Sequence, residues 1–228
     1  MPVWSPDGSR IVFSSVREGR TQIYEKAASG LVAEHVVSPG QGDRYATTWS
    51  PDGRFIAGIQ QNPQQGGTEF LLLPMSANQN PAPFLPGARG LSRFAFPRIS
   101  PNGKWIAYCS WESGRGEIYV SSFPSGAGKW QVSANGGNEP HWRRDSRELF
   151  FITLEEDTLM SVEISEKEES PVVGKIQPLF RMRRVPSPHW VYDASADGKR
   201  FLINSLLQSS TPETITLAVN WDAELKKK

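Results

Sequence analysis

The chain has 228 residues, with 25 Lys and Arg against 24 Asp and Glu and a formal net charge of +1. That length can bury a core without staples, and the balanced charge excludes a polybasic nucleic-acid surface and an acidic disordered tail. Its 20 Gly and 18 Pro make it turn-rich without reaching low-complexity composition, and its single cysteine, Cys109, excludes an intramolecular disulfide and a cysteine-based zinc cluster.

The chain opens Met1-Pro2-Val3-Trp4-Ser5-Pro6, with no charged segment leading into an apolar one, so no secretory leader is read there. The longest apolar runs, 55–59 and 70–75, are too short to span a bilayer, and no membrane insertion is expected. The first predicted element is a tight turn, Ser5-Pro6-Asp7-Gly8, preceded by Trp4 and followed by the apolar strand Arg10-Ile11-Val12-Phe13. A second turn, Arg17-Glu18-Gly19-Arg20, leads into Gln22-Ile23-Tyr24, and a fourth strand is placed at 35–38. The unit then returns. Trp49-Ser50-Pro51-Asp52-Gly53 precedes Phe55-Ile56-Ala57, with a fourth strand at 83–85. Ile99-Ser100-Pro101-Asn102-Gly103 precedes Trp105-Ile106-Ala107-Tyr108, then Ser113-Gly114-Arg115-Gly116, Glu117-Ile118-Tyr119-Val120 and a strand at 130–133. The fourth copy, Trp142-Arg143-Arg144-Asp145-Ser146 and Leu149-Phe150-Phe151, is degenerate; Glu155-Glu156-Asp157 leads into Leu159-Met160-Ser161-Val162, with a fourth strand at 176–182. The fifth copy is Ser195-Ala196-Asp197-Gly198 and Phe201-Leu202-Ile203, with a further strand at 214–221. No segment sustains a 3.6-residue apolar period, so no long helix is predicted.

The Asp or Asn positions 7, 52, 102, 145 and 197 are spaced by 45, 50, 43 and 52 residues. A period of about 40–50 residues is that of a four-stranded propeller blade. The expected fold is therefore all-β: a β-propeller of four-stranded antiparallel blades, with five blades or blade parts starting near 2, 46, 96, 139 and 191. Residues 1–221 form the repeats, and 222–228 a charged tail. The turn chemistry explains the motif. Pro presets φ at the second turn position, Asp bonds back to the backbone, and Gly takes the left-handed conformation that closes the turn. Ser146 replaces that Gly in the fourth copy and must either adopt left-handed φ at some cost or change the turn, so this blade is expected to be the least regular. Trp4, Trp49 and Trp142, with Ile99 standing in once, are expected to pack blade on blade. Burying each Trp is worth on the order of 4–6 kcal/mol of gross transfer energy, from ~150–250 Å² of surface.

Chemistry is sparse. There is no Gly-x-Ser-x-Gly elbow, no kinase phosphate loop or Asp-Phe-Gly, and no Asp-x-Asp-x-Asp-Gly calcium loop. His35, His141 and His189 stand isolated in sequence, and Cys109 reads as a buried small hydrophobe. No catalytic residue, metal or cofactor is expected. Binding is easier to place. The loops between second and third strands share a face with the inter-blade loops, which gathers Gly19, 61–67, Trp111, Arg115, Glu139 and 181–190. Within the last stretch Arg181, Arg183, Arg184, His189 and Trp190 are the residue types that anchor interfaces, so a protein or small ligand is expected there.

The triple Ser-Pro-(Asp/Asn)-Gly followed by an apolar strand and an Ile-Tyr strand closely resembles the WD40-like repeat of TolB-type propellers. The resemblance covers nearly the whole chain and implies binding on a propeller face. The stretch from Tyr192-Asp193-Ala194-Ser195 through Val219-Asn220-Trp221-Asp222 also looks like the end of propeller regions that follow bacterial membrane-anchored serine/threonine kinases. That second resemblance implies an extracytoplasmic sensor or scaffold in a larger protein. The alternative is the propeller part of an enzyme, a kinase sensor region or a peptidase's substrate-gating propeller, whose catalytic half lies elsewhere. The sequence is expected to be an N-terminally truncated segment of a larger propeller.

Overall fold

The computed structural model describes residues 2–37, 39–40, 42–61, 68–76, 80–85, 96–183 and 190–205. They form consecutive antiparallel meanders. The first sheet is β1 (Pro2–Trp4), β2 (Arg10–Arg17), β3 (Arg20–Ala27) and β4 (His35–Val36). The second is β5 (Asp43–Trp49), β6 (Phe55–Gln61), β7 (Thr68–Pro74) and β8 (Ala82–Phe84). The third is β9 (Arg98–Ile99), β10 (Trp105–Ser110), β11 (Glu117–Ser122) and β12 (Trp130–Gln131). The fourth is β13 (Asn138–Trp142), β14 (Glu148–Ile152), β15 (Thr158–Lys167) and β16 (Ser170–Arg181), and the fifth pairs β17 (Tyr192–Ala194) with β18 (Phe201–Ile203). Among the described residues there is no helix. The strand proposed at 214–221 and the tail lie outside them.

The repeated turn is built around its serine. Ser5 Oγ donates to Asp7 Oδ1 at 2.6 Å and accepts from Arg10 N at 2.9 Å, while the Ser5 carbonyl accepts from Gly8 N at 2.9 Å. The same three contacts recur around Ser50, Ser100 and Ser195. Asp bonds the backbone as expected: Asp7 Oδ1 accepts from Ser9 N at 3.0 Å. Asn102 does so equally well, accepting from Lys104 N at 3.1 Å, so the turn needs an oxygen there and not a charge.

The fourth turn keeps its shape without serine at its head or glycine at its close. Ser146 takes φ 61°, and Ser146 N donates to the Arg143 carbonyl at 2.9 Å. Its hydroxyl accepts from Asn102 N, in the neighbouring turn, at 2.9 Å. That bond between blades is one a glycine could not make, and it offsets a left-handed cost of roughly 1–2 kcal/mol. The expectation of the least regular blade is thus wrong for the turn. It holds for the strands: this sheet has three of the four register shifts among the described pairs. It also has the longest strands, through a hairpin at Glu168 and Glu169 that was not foreseen, both with positive φ.

Successive sheets pack face to face through four apolar layers. Val12 and Ile23 meet Ala46, Trp49, Ile56 and Leu73. Ala57, Ile59 and Phe70 meet Ile99, Ile106 and Tyr108. Trp105, Ala107 and Val120 meet Trp142, Leu149 and Val162. Phe150 and Ile152 meet Val191 and Tyr192. Cys109 lies inside the third layer, where burial pushes its thiol up to about 12.

The tryptophan column obeys this scheme with one exception. Trp49 is 7% exposed, Ile99 6% and Trp142 5%, each against the sheet before it, whereas Trp4 is 58% exposed. The expectation that Trp4 is a packing residue is therefore corrected. No described sheet lies on the side of the first blade that Trp4 faces. Trp142→Ala is expected to cost about 3–5 kcal/mol and Trp4→Ala within about ±0.5 kcal/mol, read from urea midpoints. Comparable losses for both would contradict the layer assignment.

The turn carboxylates set an acid limb. Asp7 is held down at about 2, first by the Ser5 hydroxyl, then by the Ser9 backbone and hydroxyl. Because the folded value is depressed, its contribution is present above the ordinary carboxylate value of about 3.9 and is lost as pH falls towards about 2. Asp7→Asn should keep the turn, melt slightly below the parent at neutral pH, and converge with it at the acid end. A constant difference across that window would refute the linkage.

Candidate binding face

The first strand of each blade lies on the inner side, where β1 adjoins β5, β5 adjoins β9 and β9 adjoins β13. The residue just before the tryptophan column is Val3, Thr48, Arg98, His141 and Asp193 in successive blades. In the last three it is charged or titratable, and these three side chains gather at one site.

Arg98 is half-buried. Its Nη1 donates to the Thr47 carbonyl at 3.4 Å, and its guanidinium carbon lies 4.0 Å from the Trp190 ring centroid. Its Nε is buried without a hydrogen-bond partner among the described residues. Burial pulls the guanidinium's pKa down, and the acidic neighbours Asp193, Tyr192 and Glu139 oppose that shift. Trp190 in turn packs on Phe96, with centroids 4.5 Å apart. His141 Nε2 sits 2.7 Å from Asp193 Oδ1, and His141 Nδ1 faces the Trp142 carbonyl at 3.1 Å. Each ring nitrogen therefore meets an acceptor, and only the doubly protonated ring donates to both. The hydrogen bond from His141 holds the Asp193 carboxyl below its usual range.

Glu139 ties the blades together. Its carboxylate accepts from Val191 N at 2.9 Å, and its carbonyl accepts from the Tyr192 hydroxyl at 2.8 Å. Burial raises the Tyr192 phenol well above its ordinary value. Glu139 adopts φ 53° and Phe96 φ 41°, both left-handed for residues other than glycine. Such backbone costs about 1–3 kcal/mol per residue and clusters at functional sites. Among the described residues no three of His, Cys, Asp and Glu gather as a metal-binding group.

The loop residues proposed from sequence are distributed differently. Trp111 is exposed and stands beside Gly116, where an added Cβ would meet Trp111 at 3.1 Å and Leu154 at 3.2 Å. Arg115 is an exposed side chain that is also paired within its blade. Its Nε donates to Glu117 at 2.5 Å and its Nη2 to the Ala134 carbonyl. Glu117 is buried and also accepts from Ser133 Oγ and from Gly136 N. Arg181 and Arg183 are exposed on either side of buried Met182. Arg184, His189 and residues 62–67 lie outside the described residues. Trp190 is half-buried and packs against Arg98 and Phe96. Sequence inspection missed Arg98, His141 and Asp193 because each looks solitary. Aligning the repeats by column is the signal that joins them.

No family model matches the chain, and no curated protein matches it. Solved structures do. TolB from Acinetobacter baumannii superposes with a TM-score of 0.72 at 18% identity, over 91% of this chain and 48% of that one. A putative TolB from Agrobacterium tumefaciens gives 0.61 at 19% identity, over 78% and 64%. An oligogalacturonate lyase in complex with manganese gives 0.62 at 14% identity, over 92% and 59%. The chain is therefore an all-β propeller segment with a TolB-like fold, spanning about half the length of the first of these structures. At these identities the likeness is one of fold.

Trp190→Ala is expected to destabilise the chain by about 1–3 kcal/mol, the sum of a ring pair and a partly desolvated cation–π contact. Trp190→Phe should recover most of it in the same denaturation assay. A loss below about 0.5 kcal/mol, as for an ordinary surface residue, would return Trp190 to the free loop.

Proposed function

We propose that this chain is a non-catalytic binding module, a propeller segment that offers its inner-strand face to a protein or small ligand. The observation that carries the reading is the convergence of Arg98, His141 and Asp193 from three successive blades, beside Trp190 and the left-handed Glu139 and Phe96. A planar guanidinium backed by an indole is suited to a carboxylate or a similar flat acceptor group. The TolB-like neighbours support an interaction role. The finer setting in this proposal is the sensor or scaffold segment of a larger bacterial protein, of the kind that follows a membrane-anchored serine/threonine kinase, with the propeller outside the cytoplasm. Among the described residues no helix is long and apolar enough to cross a membrane.

A second reading has one support: a solved relative in fold is a lyase, and another, at a TM-score of 0.51, is a putative 6-phosphogluconolactonase from Bacteroides uniformis. The two readings separate by experiment. Thermal-shift and calorimetric titration with short peptides bearing a free C-terminal carboxylate should give saturable binding that Arg98→Ala abolishes and Arg98→Lys weakens at least tenfold. Oligogalacturonate and sugar lactones should show no turnover above a protein-free blank. Turnover removed by Arg98→Ala or His141→Gln would favour the enzyme reading, and peptide binding indifferent to Arg98 would remove the proposed site.

A further inference from the structure

The fourth blade departs from the repeat on its outer side. The outer strands β4, β8 and β12 have two or three residues, whereas β16 has 12. β14 pairs with β15 only as far as Glu148 opposite Glu163, and the β15–β16 hairpin runs on past that end. There it reaches the turn of the preceding blade. Lys104 Nζ donates to both Glu166 carboxylate oxygens at 2.7 Å, and Ile164 joins the apolar layer of Trp105. Between the hairpin and the turns of the third and fourth blades lies a cleft of about 540 Å³, with buried Trp105 and Ile164 in its lining. The first three blades form without such an extension, so the fold alone does not call for it.

The cleft gathers hydrogen-bond donors that the fold does not use. Among the described residues, the Arg147 guanidinium, the Asn102 side-chain amide and the Ser165 hydroxyl donate to no partner. Ser146 is 5% exposed; its hydroxyl oxygen accepts from Asn102 N, and its proton has no acceptor among them. The carboxylates of the cleft are already balanced. Asp145 pairs with Arg143 and Glu166 with Lys104, and Arg143 also holds Glu148. With Arg147 counted, these cations and carboxylates are equal in number. We propose that the cleft binds a small neutral saccharide. Each sugar hydroxyl both accepts and donates. It can therefore take the uncommitted N–H and O–H groups and give its own proton to lone pairs left on Asp145 and Glu166. An anion would gain Arg147 alone and would sit beside those carboxylates. The volume is ordinary for a small-molecule site, about 300–1,000 Å³, and the C–H face of a sugar ring suits Trp105 and Ile164. The site shares no residue with the Arg98 face and goes beyond the role proposed there.

Amide NMR shifts of the isotope-labelled chain test it, titrated with uncharged mono- and disaccharides of glucose, galactose, mannose and N-acetylglucosamine. At least one sugar should give saturable shifts clustered at 102–103, 146–147 and 164–166. Arg147→Ala should weaken that binding at least tenfold and Ser165→Ala several-fold. Both should keep the parent's melting temperature, since neither side chain has a hydrogen-bonded partner among the described residues. Arg147→Lys, which keeps the charge and loses the planar fork, should recover only part of the affinity. Glucuronate and inorganic phosphate should bind no more tightly than glucose. The absence of saturable shifts across the panel overturns the proposal, as do shifts that map away from the cleft. Binding indifferent to both Arg147→Ala and Ser165→Ala overturns it too. So does tighter binding of glucuronate or phosphate than of glucose, which would make the cleft an anion site.

Discussion

The structure depends on one small hydrogen-bonded unit, a serine hydroxyl held between a carboxylate or amide oxygen and the first backbone N–H of the next strand. That bond fixes where the second strand of each blade begins relative to the first. Because side chains alternate along a strand, a slip of one residue would move Ile11, Ile56 and Ile106 from one face of their sheets to the other. The layers between blades, the burial of the tryptophan column and the inward direction of the residue before it all follow from this register. The fourth blade shows what else can fill the role. Arg143 stands where the serine would be, its Nε donating to Asp145 Oδ1 at 2.9 Å, while Asp145 still accepts from Arg147 N at 3.1 Å. A side chain bonded to the same aspartate holds the turn, and the register survives.

Much of the architecture was legible in the residues. Five copies of a turn at a blade-like period gave the all-β propeller, and the turn residues named from sequence sit where the turn chemistry requires them. Local chemistry sufficed because the motif is local: every bond in it spans five residues or fewer. The central role of the serine was not legible, since Pro, Asp and Gly already account for a turn on their own. Nor was the long hairpin of the fourth blade. Its turn is Glu168-Glu169, and left-handed φ at two consecutive glutamates contradicts their ordinary preference.

The candidate site was harder to read because its members are far apart in sequence and unremarkable one at a time. Arg98, His141 and Asp193 become neighbours only through the stacking of blades, and no spacing rule for a single strand links them. Two of the loop residues named from sequence also have partners within the fold. Arg and Trp are enriched in interfaces, yet Arg115 closes a buried carboxylate and Trp190 covers Arg98. The same chemistry that suits those side chains to bind a partner suits them to bind their own fold.

The long outer strand of the fourth blade bears on how the chain behaves before it is folded. β16 runs 12 residues along a sheet edge and leaves Val172, Ile176, Leu179 and Phe180 partly exposed. An edge of that length and composition is a template on which another strand could grow. Pro171 and Pro178 remove two amide donors from it, Lys175 adds a charge, and the two register shifts against β15 bend it out of line. Their effect falls on the newly made or partly unfolded chain, which they steer away from aggregation while the slower contacts between blades assemble.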